Sequence, residues 1–306
     1  MFRVSEIVAD RYEVRRFIGR GGMGEVFEVL DKELHECVAL KTIRSELSGD
    51  LQVVSRFKQE LRLARKVIHP NVARVFDLGT FYGSNAAASY FHTMELIYGR
   101  PLSAWVNGRA LDVAVVVDLA RQLAAGLAAI HEHGIVHRDF KPENVMVRDP
   151  DQAHPRVCIV DFGIARSRDR LSGLATTARG VRLGTPDYMA PEALHGATVS
   201  PASDVFSFGL VVYELLTGCH PCPNPGTRAA RSALGELTIA PPSQLRPAIP
   251  SGLCRLVQAC LHPDAKERPQ TGLELSQRLD RLDETGRDAS VMGALWKLAR
   301  SRLRRS

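Results

Sequence analysis

Residues 137–144 read His137-Arg138-Asp139-Phe140-Lys141-Pro142-Glu143-Asn144, and seventeen residues beyond Asn144 stands Asp161-Phe162-Gly163. Moving a phosphoryl group asks for little covalent chemistry from a protein. It asks for a carboxylate to orient the attacking hydroxyl, cations to neutralise phosphate charge, and oxygen ligands for a divalent ion. Asp139, Lys141, Asn144 and Asp161 are residues of those types at suitable spacing.

Toward the N-terminus, Gly19-Arg20-Gly21-Gly22-Met23-Gly24-Glu25-Val26 contains a G-x-G-x-x-G, which alone is more often a plain turn. Here it joins two strand-like runs, Tyr12–Ile18 and Glu25–Leu30, instead of leading from a strand into a helix. That predicts a hairpin whose side-chain-free backbone can lie over phosphates, and argues against a dinucleotide-binding crossover. Seventeen residues beyond Gly24, Lys41 lies in a third such run, Cys37–Ile43. It reads either as a solvated strand-end lysine or as a cation held against phosphate oxygens. Leu51, Val54, Phe57, Leu61, Ala64 and Ile68 recur at spacings of three and four, predicting a helix that Pro70 stops. Glu60 borders the buried stripe of that helix, so it can face the sheet and hold Lys41 by an ion pair. Strands near 72–78 and 87–94 complete a small sheet with one helix.

From about residue 101 the character becomes helical. Ala114–His133 is rich in Ala and Leu and ends at Gly134, a C-cap signal. Asp204–Thr217 opens with Ser203 and Asp204 as candidate caps and is apolar nearly all round, which suits the middle of a large lobe. Residues 219–250 hold seven of the 17 prolines and read as loop, before closing helices at Leu253–Leu261 and Leu273–Leu282. Composition, at 45% hydrophobic and 24% charged, excludes collagen-like, wholly disordered and disulfide-scaffold chains. The net charge of +6 is mostly local: Lys297, Arg300, Arg302, Arg304 and Arg305 fall in the last ten residues, leaving 35 basic against 34 acidic groups before them. A neutral body gives no nucleic-acid signature. Six scattered cysteines suit a reducing, cytoplasmic setting. The N-terminus shows no signal-peptide pattern, and no run reaches about 18 apolar residues.

Gly184-Thr185-Pro186-Asp187-Tyr188-Met189-Ala190-Pro191-Glu192, Asp204 and Arg268 follow in order. With all these motifs in place, the chain resembles the Hanks-type (eukaryotic-like) serine/threonine protein kinases, most closely bacterial ones, from about Tyr12 to Leu282. The resemblance implies an α+β bilobal protein-kinase-like fold: a small antiparallel-sheet N-lobe with one helix (12–97) and a mainly helical C-lobe (98–282). Residues 1–11 are then an N-terminal extension and 283–306 a basic amphipathic tail. It implies ATP and Mg²⁺, with Mn²⁺ as an alternative ion, in the cleft between the lobes. By family role, Gly19, Gly21 and Gly24 cover the phosphates, Val26 packs on adenine, Glu95 to Ile97 form the adenine-binding hinge with Met94 as gatekeeper, and Ala39 and Met146 also bind ATP. Lys41 binds the α- and β-phosphates and pairs with Glu60. Asp139 is the catalytic aspartate, Lys141 neutralises the γ-phosphate, and Asn144 and Asp161 hold the metal. Glu192 pairs with Arg268, and Asp204 anchors the catalytic-loop backbone. Lys141 two residues after Asp139, and Thr185 before Pro186, imply serine/threonine specificity.

The resemblance also implies that Arg138 receives a phosphate from the loop after Asp161. Thr177 is the first candidate acceptor, Thr176 the second and Ser172 a rival, with transient self-association for autophosphorylation. His137 is expected to be a packed structural residue. Phe140 stands where Leu or Ile is usual, and Leu216–Cys222 lacks the family's aromatic. Cys219, His220 and Cys222 offer three ligands without a fourth at a structural-zinc spacing. In the tail, Met292, Leu295, Trp296, Ala299 and Leu303 form a helical stripe. It either caps the large lobe or lies on an anionic membrane or acidic partner. The leading function is transfer of the ATP γ-phosphate to protein Ser/Thr hydroxyls. A pseudokinase serving as an ATP-sensing scaffold and a kinase-fold small-molecule phosphotransferase are the alternatives.

Overall fold

A computed structural model describes residues 2–21, 24–43, 51–82, 88–150, 154–162, 186–222 and 239–284. The N-terminal part is an antiparallel sheet of strands β1 (Ile7–Val8), β2 (Tyr12–Gly21), β3 (Gly24–Asp31), β4 (Glu36–Thr42), β5 (Val75–Tyr82) and β6 (Ala88–Met94). Their order is β1-β2-β3-β4-β6-β5. Alternation of buried and outward residues in β3 gives the sheet an inner face, where Val14, Phe27, Val29, Leu40 and Phe91 pack together. Helix α1 (Leu51–Ala64) buries Val54, Phe57, Leu61 and Ala64, as its apolar spacing requires. It ends four residues earlier than that spacing suggested, and Ile68 is exposed.

Residues ahead of Tyr12 do not stand apart from this lobe. β1 pairs with β2, and the Phe2 ring packs against Phe27 and Phe81. A two-residue strand is too short to show as a periodic run, so the sequence signals it poorly.

A second sheet, β7 (Arg100–Pro101), β8 (Val145–Arg148) and β9 (Arg156–Ile159), crosses the floor of the cleft. Below it lie α2 (Leu102–Val106), α3 (Val113–Glu132), α4 (Pro191–Leu194), α5 (Pro201–Thr217), α6 (Ser251–Cys260) and α7 (Gly272–Glu284). In α5 every residue except Pro201, Glu214 and Thr217 is buried, so it is the lobe's central post. Its cap is Ser200, not Ser203 or Asp204. Ser200 and Ser203 form a reciprocal capping box, which leaves the Asp204 carboxylate free for another use. At the other end Gly218 takes φ +79°, which a side chain would strain, and its N–H returns to Glu214 O at 2.7 Å. Helix α3 is long and apolar enough to cross a membrane by length and composition, although Asp118 and Arg121 interrupt its apolar run. Its apolar residues are instead taken up by the C-lobe core.

The lobes are stitched where it matters for chemistry. Ala73 N donates to Ile159 O, and Ile159 N donates to Asn71 O, each at 2.8 Å. The segment between α1 and β5 is thereby fixed to β9, two residues ahead of Asp161.

Candidate active site

The loop carrying Asp139 is set from below by one buried carboxylate. Asp204 accepts from His137 N at 2.7 Å and Arg138 N at 2.9 Å. It also meets His131 Nε2 at 2.9 Å. Gly272 N donates to His131 Nδ1 at 2.9 Å, so the imidazole proton sits on Nε2 and points at Asp204. His131 therefore ties the start of α7, through Asp204, to the catalytic loop. The sequence reading missed it, because a histidine near a helix end carries no periodic signal. Arg138 holds φ +65° and Asp161 φ +61°, unusual for residues with side chains. Such backbone conformations persist only where surroundings fix them, and they gather at functional sites. His137 is 1% exposed, its ring edge-on to Phe140 at 5.6 Å, and burial pushes it below its ordinary pKa. It is a packed residue here, not an acid or base.

Above this anchor the candidate catalytic groups converge. Lys141 Nζ lies 3.1 Å from Asp139 Oδ2. Asn144 Nδ2 donates to Asp139 O at 2.7 Å and to Asp139 Oδ2 at 3.2 Å, which commits its amide hydrogens and leaves its oxygen as a ligand. Lys41 Nζ lies 2.7 Å from Asp161 Oδ1, yet that buried oxygen has no aligned hydrogen-bond donor. An ammonium nearby with lone pairs left over suits a carboxylate that also takes a metal ion. Burial would raise the Asp161 carboxyl, and Lys41 more than reverses this, so the group is held ionised. Asn144 and Asp161 thus fit a hard divalent cation by donor type.

One expected contact is different. Lys41 does not pair with Glu60; the Glu60 carboxylate goes to Arg138 Nη1 at 2.9 Å. Two cations lie within reach of two carboxylates, and each cation takes one. The buried Lys41 goes to Asp161, whose side chain is 24% exposed. Glu60 goes to Arg138, with side chains 27% and 28% exposed. Beside Lys41, His92 is buried, and burial with the lysine's charge pushes its pKa down to about 3. It is a neutral imidazole.

The nucleotide end follows the strands. Gly19 has nothing within 4 Å of where a Cβ would stand, leaving its side open. Gly24 is different: an added Cβ would meet Thr42 O at 1.8 Å. Its glycine is required by the close approach of β4, whose Thr42 hydroxyl accepts from Glu25 N at 3.0 Å. Gly21 lies opposite Gly24 in the hairpin. Val26 is half-buried opposite Lys41, and Ala39 is buried opposite Met94. Ile97 clusters with Ala73 and Cys158, with Met146 and Val160 packed against them, an apolar floor at the lobe junction. Glu95 turns its carboxylate out to Arg148 Nη2 at 2.6 Å and to Arg74 N at 3.3 Å. The sequence reading did not find Arg148, which gives no sign of a distant partner.

Arg268 and Glu192 make a two-pronged pair at 2.8 and 2.9 Å. His220 directs Nδ1 to Cys222 within its own turn and sets its ring against Tyr188 at 5.1 Å. Among the described residues no group of three or more His, Cys, Asp or Glu side chains is placed to hold a metal. Thr176, Thr177, Ser172 and the 285–306 tail lie outside the described residues.

Residues 12–278 match the protein kinase domain family model. The serine/threonine-protein kinase pkn2 of Myxococcus xanthus is 37% identical over 280 residues, covering 90% of this chain and 33% of that protein. PknA of Mycobacterium tuberculosis is 35% identical over 272 residues, covering 88% of this chain and 61% of PknA. The chain therefore spans between a third and three fifths of these relatives' lengths. The crystal structure of the M. tuberculosis PknI kinase domain superposes with a TM-score of 0.72 at 24% identity. It covers 93% of this chain and 100% of that one, a likeness of fold.

Proposed function

The chain belongs to the protein kinase domain family, and on that footing we propose that it is an active serine/threonine protein kinase, transferring the γ-phosphate of ATP to protein hydroxyls. The convergence of Lys141 and Asn144 on Asp139, beside an ionised Asp161, carries the reading. Asp139 accepts the hydroxyl proton of the protein substrate and aims its oxygen in line with the γ-phosphorus. Lys141, 3.1 Å from that carboxylate, offsets charge on the transferred group. Asn144 and Asp161 would hold Mg²⁺, with Mn²⁺ as a substitute; the ion supplies charge neutralisation across the phosphates. Lys41 orients the α- and β-phosphates under the Gly19–Gly24 hairpin.

Intact Lys41, Asp139, Asn144 and Asp161 weigh against a non-catalytic scaffold. The motif Thr185–Glu192, which shapes a peptide site in this family, weighs against a small-molecule phosphotransferase. Incubation with labelled ATP, a generic protein substrate and a small-molecule panel separates these. Label on protein serine and threonine is the expected result. Label on small molecules alone, or nucleotide binding without transfer, would overturn it.

The pairing of Arg138 with Glu60 also bears on activation. A phosphate on Thr177, with Thr176 second, brings nearly two negative charges to compete for Arg138 and release Glu60 toward Lys41. Autophosphorylation between transiently associated copies supplies it. Mass spectrometry of freshly made enzyme should find the phosphate mainly on Thr177, and the Thr176→Ala/Thr177→Ala variant should lose at least several-fold in activity. Full activity with both threonines unmodified would exclude the switch. The free thiols support a cytoplasmic setting. The five basic groups of the last ten residues support peripheral contact with an anionic membrane or acidic partner. Deleting 291–306 should then abolish sedimentation with acidic vesicles and spare peptide phosphorylation.

A further inference from the structure

His92 is not accounted for by anything above. It faces Lys41 directly across the antiparallel β4–β6 pair, so the two side chains leave the same face of the sheet as close neighbours. Helix α1 covers that face: the Phe57 ring lies 6.1 Å from the imidazole. Glu60 is three residues beyond Phe57, hence on the same side of α1. His92 is 4% exposed, and its Nδ1 has no hydrogen-bond partner. An unpaired buried polar atom is destabilising and calls for an explanation. An apolar side chain would pack against Phe57 without that cost. The explanation lies in the contact that is shifted here, Glu60 on Arg138 and Lys41 on Asp161.

We propose that His92 is a positioning residue for phosphoryl transfer: with Lys41 it forms a two-donor seat for the Glu60 carboxylate when α1 rolls inward and Glu60 leaves Arg138. The imidazole donates its Nδ1 hydrogen to one carboxylate oxygen while Lys41 holds the other. Glu60 so fixed leaves Lys41 aimed at the phosphates rather than drawn down to Asp161. The inference rests on the kinase reading, since the seat matters only if Lys41 places a nucleotide for transfer. It adds a residue to that machinery and gives the Glu60 carboxylate two alternative homes, Arg138 and the Lys41/His92 pair.

The test compares His92→Leu, which removes the polar group, with His92→Asn, whose amide nitrogen falls where Nδ1 was. On the full chain, His92→Leu should lower kcat by roughly tenfold or more, the worth of one hydrogen bond to a charged group. His92→Asn should recover most of that loss. In a Glu60→Ala background, His92→Leu should cost nothing further, because it acts through Glu60. Affinity for a non-hydrolysable ATP analogue, read by calorimetry, should follow the same pattern at smaller scale, independently of turnover. Wild-type kcat in His92→Leu, equal losses in Leu and Asn variants, or an undiminished loss without Glu60 would each overturn the proposal. Failure of the kinase reading shows differently: the wild-type chain binds the analogue but labels no protein. The calorimetric cycle then still decides whether His92 and Glu60 are coupled.

Discussion

Asp139→Asn should lower kcat by roughly 10²–10⁴, the usual worth of a positioned proton acceptor, and leave nucleotide affinity near that of the wild type. The separation follows from the geometry. Asp139 lies beside Lys141 and Asn144, and the apolar cluster of Ala73, Ile97 and Met146, where the proposed kinase would seat adenine, is formed by other elements. The substitution keeps shape and leaves the loop's anchor intact, since Asp204 grips the backbone of His137 and Arg138 rather than any side chain of residue 139. An amide cannot take the proton, and its amino group faces the Lys141 ammonium unless the amide turns over. Steady-state kinetics with analogue titration check this. Near wild-type turnover would displace Asp139 from its role, and a loss of nucleotide binding would mean that the substitution collapsed the loop. Lys41→Met belongs to the other class: it should spoil phosphate placement, and its loss should appear in nucleotide affinity as well as in rate.

The candidate catalytic set was legible because phosphoryl transfer dictates residue types, and short motifs keep them at fixed separations. Asp139, Lys141, Asn144 and Asp161 could be picked out before any fold was known; the structure sets Lys141 and Asn144 on Asp139, and Val160 N, next to Asp161, donates to Asn144 O. The long helices were legible for a different reason: burial of α3 and α5 leaves a compositional record. What could not be read was allocation. Glu60 has the right type and place to meet Lys41, but ion pairing is a competition among all charges within reach, and Arg138 enters it from a loop 78 residues away. His92 sits inside Ala88–Met94, where a strand accounts for it without asking about its nitrogens. The cap of α5 was misplaced because Ser200, Ser203 and Asp204 are all good capping types, and only geometry shows that Asp204 is engaged by His131 and the catalytic loop. Tertiary demand on Asp204 decided its role.

Glu192→Ala should destabilise the protein by about 3–5 kcal/mol, the cost of stranding one member of a buried ion pair. At about 2 °C per kcal/mol for a chain of this size, Tm should fall by roughly 6–10 °C. The Arg268 side chain is fully buried, and all of its donors are committed. Nε gives to His262 O at 2.7 Å, Nη1 to Glu192 and to Ala202 O at 3.1 Å, and Nη2 to Glu192 and to Pro263 O at 2.8 Å. The guanidinium also lies over the Phe206 ring at 4.8 Å. Removing the carboxylate therefore strands two N–H groups and a cation that cannot lose its proton. Glu192→Gln should cost less, because one oxygen remains. The Glu192→Leu/Arg268→Met double variant should be more stable than Glu192→Ala, since it buries no charge. The pair also has a pH signature. Burial pushes the Glu192 carboxyl up, and hydrogen bonds from Arg268 and Ser203 more than reverse this, holding it below its ordinary value of 4.5. A depressed carboxylate contributes stability that is fully present above the unfolded-state value and is lost as pH falls through the folded-state one. Thermal melts should therefore show part of the acid-side loss of stability below about pH 4.5 disappearing in Arg268→Met, which removes the depression. A Glu192→Ala protein melting within a degree of the wild type would show that the carbonyls of Ala202, His262 and Pro263 alone suffice for Arg268, and that the ion pair serves something other than the stability of the lobe.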